Sequence, residues 1–343
     1  MRRLASLIVS ILLLATRLAV AQTAPHLNFL ALGDWGLDSP DRQQVANAMA
    51  DYADHSKQPI NAALSLGDNF YVPLTSAEDP EFTKLFENTY DVKRLNFPFY
   101  ILPGNHDYES LNGHSRYEWE IKYAVIHPQS RWKMPARYYR LDLPADHPLV
   151  TVLMLDSNKD NAGKYPNLTA QEWTDELAWM NQQLAGPRAA WTICCAHHTA
   201  YSNAGRGDNG VLIQQWSSLF EKYKVDVYLC GHDHSLQHIE VKDLFTSYVV
   251  SGGGGAKRDA MLRDNRGPFS RSLAGFAAFS FDPDMLTVNL IGEDGTVLHT
   301  FTRTKAGVVT VTHTTLSDLR TTQPLRLIQG FDVAPRPASQ PAQ

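Results

Sequence analysis

Leu27-Asn28-Phe29-Leu30-Ala31-Leu32-Gly33-Asp34-Trp35-Gly36 joins a short apolar run to a Gly-Asp turn, and the same junction recurs along the chain. Apolar runs at 60–66, 99–102, 149–155, 191–196 and 225–230 are equally short, and most end in Gly, Asp, Asn or His. Runs of this kind suit strands covered on both faces. Helical patterns lie between several of them. Residues 41–56 carry Val45, Ala48, Met49 and Tyr52 on one side. Thr169 and Glu172 form a capping box ahead of Trp173, Leu177, Met180 and Leu184, and Gly186-Pro187 ends that helix. Asp208 is expected to cap a third helix through Val211, Leu212, Trp216, Leu219 and Phe220. Strands alternating with helices predict an α/β core. After Ser247 the pattern changes: runs at 248–250, 277–281, 286–291 and 297–301 are joined by turns, which predicts a second, more antiparallel sheet.

Five polar clusters each follow one of these strands: Gly33-Asp34-Trp35-Gly36, Gly67-Asp68-Asn69-Phe70-Tyr71, Gly104-Asn105-His106-Asp107, Ala196-His197-His198 and Gly231-His232-Asp233-His234. Loops at the carboxyl ends of strands line the ligand crevice of open α/β sheets, so these distant clusters are expected to converge. Gly-Asp after a strand is, taken alone, more often a turn than a site, and Tyr71 alone is more often a packed aromatic. Gly231-His232-Asp233-His234 is the sharpest of the five, because histidines at this spacing can chelate. Carboxylate and phenolate are hard donors that favour a trivalent ion such as iron(III). Imidazole with an amide oxygen suits a divalent ion: Fe(II), Zn or Mn. A bridging carboxylate can hold two such ions about 3.5–4 Å apart, the clamp used in phosphoryl chemistry. The motifs contain no thiolate, which excludes a structural cysteine zinc site. Cys194, Cys195 and Cys230 fall in predicted strands and read as small buried hydrophobes.

The chain of 343 residues is 43% hydrophobic and 20% charged, ordinary values for a globular enzyme and too apolar for wholesale disorder. Its start reads as an export signal: Arg2 and Arg3, an apolar stretch to Thr16, and Ala19-Val20-Ala21 as a small-x-small cleavage site. The apolar stretch is too short to span a membrane, and the mature form is expected to carry no span and to be secreted or periplasmic. Cleavage after residue 21 removes Arg2, Arg3 and Arg17 from a chain of formal charge −5. The more acidic product excludes nucleic acid as the main partner. The expected domain division is 1–21 signal, 22–305 catalytic domain and 306–343 C-terminal extension. The extension is rich in Pro, Gln and Ala from about Gln323 and is expected to fray.

In order and content, the five motifs resemble the calcineurin-like metallophosphoesterases, and specifically the purple acid phosphatases of the mammalian, tartrate-resistant type. The wider superfamily usually has Asp-x-His in the first motif; here Asp34-Trp35-Gly36 lacks that His and Tyr71 appears instead. Trp132-Lys133-Met134-Pro135 leading to Tyr138-Tyr139-Arg140-Leu141, the helix over 179–184 and Tyr228-Leu229-Cys230-Gly231 look like the same group, so the resemblance covers residues 27–301. It implies two packed mixed β-sheets flanked by helices, an α/β/β/α sandwich. It implies an Fe(III) site from Asp34, Asp68, Tyr71 and His234, and a divalent site from Asp68, Asn105, His197 and His232, with Asp68 bridging. The implied reaction is hydrolysis of phosphate monoesters by in-line attack of a metal-bound hydroxide, with His106 protonating the leaving group or steadying the phosphoryl charge.

In one place the sequence departs from the family. A further His commonly follows the fourth-motif ligand by nine positions, and here Arg206 stands there. Its fork of donors can hold a phosphate oxygen but cannot act as an acid. Asn105, His106 and Arg206 are therefore the expected substrate contacts, in a monomer acting on small phosphate monoesters or phosphoprotein. The loop at 157–166 is a candidate for controlling access, and Asn167-Leu168-Thr169 is a glycosylation sequon. The same metal centre is also open to a phosphodiesterase or nucleotidase reading, to iron redox chemistry, and to non-catalytic phosphate binding.

Overall fold

The computed structural model describes residues 25–159, 168–262 and 266–315. The expected signal at 1–21, the sequon at Asn167, most of the 157–166 loop and the Pro-rich tail lie outside those residues.

Two mixed sheets pack face to face. One runs Val309–Thr314, Val297–Thr304, Met285–Gly292, Gly275–Phe281, Leu27–Leu32, Ala62–Leu66, Phe99–Leu102, Trp132–Lys133. The other runs Phe269–Arg271, Leu236–Glu240, Ser247–Ser251, Val227–Cys230, Trp191–Ala196, Val150–Met154, Tyr139–Leu143. Between them lie Phe29, Leu64, Val152, Ile193, Leu229, Phe279 and Val288 in one continuous apolar core. Each such side chain, fully buried, contributes roughly 1.5–3 kcal/mol. The helices Pro40–His55 and Arg116–Ile126 cover the first sheet, where Val45, Met49 and Tyr123 meet Leu30, Ala63 and Ile101. Ala170–Ala185 and the helical stretch through 210–223 cover the second, through Trp173, Met180 and Trp216. All three cysteines are free and buried, as their sequence context predicts.

Two expectations change. The strands after 247 do not build a sheet of their own. Ser247–Ser251 pairs parallel with Val227–Cys230, whereas Gly275–Phe281 lies antiparallel beside Leu27–Leu32 and brings the next two strands with it. The reason is burial. Gly-Phe-Ala-Ala-Phe-Ser-Phe is buried at all but one position and needs cover on both faces, which only the middle of a sandwich provides. The sheet also continues past residue 305 into the edge strand Val309–Thr314. The second change concerns Asp208. Asn209 caps the helical stretch through 210–223 by accepting the N–H groups of Val211 and Leu212, while Asp208 accepts from Ser202 N and from the Arg266 guanidinium, each at 3.0 Å.

Candidate metal centre

All five polar clusters leave the carboxyl ends of strands on one edge of the sandwich, and their side chains converge there. Close backbone contact makes this possible. Gly67 has φ 87°, and a Cβ on it would sit 2.6 Å from Gly104 N and 2.7 Å from His197 Nδ1. Asp34, Asp68 and His232 have φ of 63°, 53° and 67°, left-handed values that Asp and His tolerate better than most residues. Backbone strain of this kind concentrates at functional sites, and here three of the assembling side chains carry it. His232 and His234 therefore leave a bend, not a strand, and they reach different partners: His232 meets His197, and His234 meets Tyr71 and Asp34.

Around Asp34 and His234, Tyr71 OH lies 3.5 Å from Asp34 Oδ1, 3.1 Å from Asp68 Oδ2 and 3.2 Å from His234 Nε2, with His234 Nε2 3.4 Å from Asp34 Oδ1. Asp34, Asp68 and His234 offer ligand atoms all within 4.8 Å of one another. Around His197, Nε2 lies 3.1 Å from Asn105 Oδ1, 3.1 Å from His232 Nδ1 and 3.4 Å from Asp68 Oδ1. Asp68 thus turns one oxygen to each half. The structure brings together Asp34, Asp68, Tyr71, Asn105, His197, His232 and His234, every metal-ligand candidate of the sequence.

The hydrogen-bonding roles show what the cluster needs. His197 directs Nδ1 to Leu66 O at 2.8 Å, and His234 directs Nδ1 to Lys257 O. A ring nitrogen bonded to a carbonyl carries the proton, so in each neutral imidazole Nε2 presents a lone pair to the centre. The facing atoms are mostly carboxylate and amide oxygens, also lone pairs. The acceptors outnumber the protons that the Tyr71 hydroxyl and the His232 ring can offer them, an excess that a cation would satisfy. Protons take that place in the titration behaviour. Burial pulls His197 and His234 down, but the carboxylates of Asp68 and Asp34 lift each to about 9. Burial raises Asp68, yet the His197 charge and the His106 backbone N–H hold it well below the usual carboxylate range. Burial and the carboxylates of Asp68 and Asp34 push the Tyr71 phenol far above its ordinary value. Only a strongly Lewis-acidic cation would ionise it. The donor set fits two metal ions.

Residues around the ligand candidates support this frame. Asp107, fully buried, accepts the N–H groups of Gly104, Asn69 and Phe70 and so locks the third motif to the second. Burial and the Asp68 charge raise its pKa to about 6 despite those amides. Asn69 donates to Leu102 O and to Glu120. His106 sits with its ring 4.4 Å from that of Tyr71 and its Nδ1 2.8 Å from Glu109 Oε1, while Arg116 holds the other Glu109 oxygen at 2.8 Å. The spacing of His106 and Glu109, three residues apart, was the one local signal for that pair. Arg206 reaches the edge of the centre, with Nε 3.4 Å from Asp233 Oδ1 and 3.3 Å from Asp259 Oδ2, its side chain 42% exposed.

Comparison with known proteins agrees with this geometry. The family model described as calcineurin-like phosphoesterase matches residues 27–236. The chain is 33% identical to tartrate-resistant acid phosphatase type 5 of Sus scrofa, over 79% of this chain and 85% of that protein. It is 31% identical to purple acid phosphatase 4 of Arabidopsis thaliana, over 70% of this chain and 73% of that protein. The solved purple acid phosphatase from yellow lupin seeds superposes with a TM-score of 0.61 at 18% identity, over 82% of this chain and 54% of the lupin chain, a likeness of fold. The chain belongs to the calcineurin-like phosphoesterase family, among its purple acid phosphatases, and is a phosphoric monoester hydrolase whose kinship implies a binuclear metal centre.

Proposed function

We propose that this chain is an exported acid phosphatase that hydrolyses small phosphate monoesters or phosphoprotein at an Fe(III)–M(II) pair. Fe(III) would be held by Asp34, Asp68, Tyr71 and His234. The divalent ion, Fe(II), Zn or Mn, would be held by Asp68, Asn105, His197 and His232. The observation that carries this reading is Asp68, fully enclosed, with one oxygen toward each acceptor cluster. Bound there, the ions would supply Lewis acidity, balancing the phosphate charge and acidifying water.

The protein's own residues do the rest. Water oxygen joins phosphorus as the ester oxygen departs, and that oxygen needs a proton. His106 stands beside Asn105 with its ring orientation set by Glu109, itself clamped by Arg116, so it is the residue placed to deliver the proton or to steady the phosphoryl charge. Arg206, anchored by Asp233 and Asp259, offers a permanent charge to a phosphate oxygen. Export rests on the leader at 1–21; among the described residues no helix is long and apolar enough to cross a membrane. Visible absorption with metal analysis tests the assignment: iron and a broad band that Tyr71→Phe removes support it, and a colourless, iron-free, fully active protein refutes it. A panel of monoesters and diesters separates this reading from a diesterase, and peroxide-dependent oxidation that persists when phosphate turnover is blocked would mark redox chemistry.

A further inference from the structure

The second histidine of Ala196-His197-His198 holds no place in the ligand set, yet it forms a wall of the same centre. Its ring lies 4.3 Å from the His232 ring and 5.1 Å from the His197 ring, and it is only 5% exposed. Ser157, 2% exposed and in the loop that follows the neighbouring strand Val150–Met154, meets this residue twice. His198 N donates to Ser157 Oγ at 2.9 Å, and Ser157 Oγ lies 2.9 Å from His198 Nδ1. The Ser157 hydroxyl proton has no other acceptor among the described residues. A buried hydroxyl keeps its proton bonded, so Ser157 donates to Nδ1 and the imidazole proton sits on Nε2. That Nε2 has no hydrogen-bond partner among the described residues, and it is not among the buried atoms sealed off without one.

We infer that His198 is a further phosphate-binding residue whose Nε2–H donates to a phosphoryl oxygen, and that Ser157 is the positioning residue that fixes its tautomer. The inference rests on the phosphatase reading above for its ligand. It assigns a neutral donor to the side of the centre lined by His197 and His232, where charge spreads over the phosphoryl oxygens during transfer. Ser157 acts without touching the substrate. Its hydroxyl accepts the backbone N–H of His198 and donates to the ring of the same residue, which ties the ring to its own backbone.

Inorganic phosphate is the probe. On the metal-loaded protein, His198→Phe keeps the ring packed on His232 and removes the donor, so phosphate binding by calorimetry should weaken about tenfold or more. His198→Gln, whose amide nitrogen can stand near the Nε2 position, should recover most of that loss. Ser157→Ala should weaken phosphate a few-fold and Ser157→Thr should restore it, with metal content unchanged in all four. On the metal-free protein, nitrogen-15 imidazole spectra should show His198 protonated at Nε2, and Ser157→Ala should mix the tautomers. Unchanged phosphate affinity in His198→Phe overturns the inference, as does loss of the divalent ion in that variant, which would make His198 a support for His232. Absence of two-metal loading in the parent protein would instead strike the phosphatase reading itself.

Discussion

Two sets of buried histidines occupy this molecule, and their partners differ. Between the sheets, His238 Nδ1 meets His299 Nε2 at 3.0 Å, His238 Nε2 meets Glu240 at 2.7 Å, and His299 Nδ1 meets Thr314 Oγ1 at 2.7 Å. Every ring nitrogen there has a protein partner with which a proton can be shared. At the strand ends, His197 and His234 each spend one nitrogen on a carbonyl and aim the other into a cluster where carboxylate and amide acceptors outnumber the donors, the Tyr71 hydroxyl and the His232 ring. Both sets are buried, so burial of a histidine says nothing about function. What separates them is whether the hydrogen-bond account closes without a cation.

The largest effect is expected at Asp68, the carboxylate that turns one oxygen to each half. Asp68→Ala should lower turnover by about 1,000-fold or more, since a two-metal clamp loses its bridge. His106→Ala comes next: roughly 100- to 1,000-fold slower turnover with metal content intact, the scale of a lost general acid. Loss of metal in that variant would move His106 into the ligand set. Glu109→Gln, which removes the charge on His106 Nδ1 but keeps a hydrogen-bond partner, should cost about tenfold in turnover, read from steady-state kinetics.

The closed set should answer in stability and not in activity. Burial, with the charges of His238 and His313, pushes His299 down to about 2, well below the value near 6.5 of an unfolded chain. The unfolded state therefore binds the proton first. Stability contributed by neutral His299 is present above about pH 6.5 and is lost as pH falls through 6.5 toward 2, by up to about 1.4 kcal/mol per pH unit. Denaturant titrations of His299→Asn should show a shallower acid slope; an unchanged slope would place the sensitivity elsewhere. The smallest effect belongs to Thr314→Val, about 1 kcal/mol from one hydrogen bond, with metal content untouched.

Much of this was legible in the chain. Leu27–Leu32, Phe99–Leu102 and Trp191–Ala196 are strands at the residues their apolar runs mark, because a short run with a Gly, Pro or His stop encodes its own length. The polar clusters were legible for the same reason: each directly follows such a run. Pairings across long separations were not. Nothing local tells Gly275–Phe281 to lie beside Leu27–Leu32, nor Asp107 to collect amides from residues 37 and 38 positions away. The left-handed backbone of Asp34, Asp68 and His232 is equally silent, since it is imposed by the neighbouring loops that crowd Gly67. Asp208 misled because it stands one residue before Asn209, and both residue types cap helices well.

If the acceptors that converge at the strand ends hold two ions through Asp68, metal stoichiometry will show it. Metal analysis of the purified protein should find two ions per chain, one of them iron, and Asp68→Ala, still folded by circular dichroism, should retain fewer than one. Two ions kept by Asp68→Ala, or a parent protein that turns over phosphate monoesters with one ion or none, would contradict it.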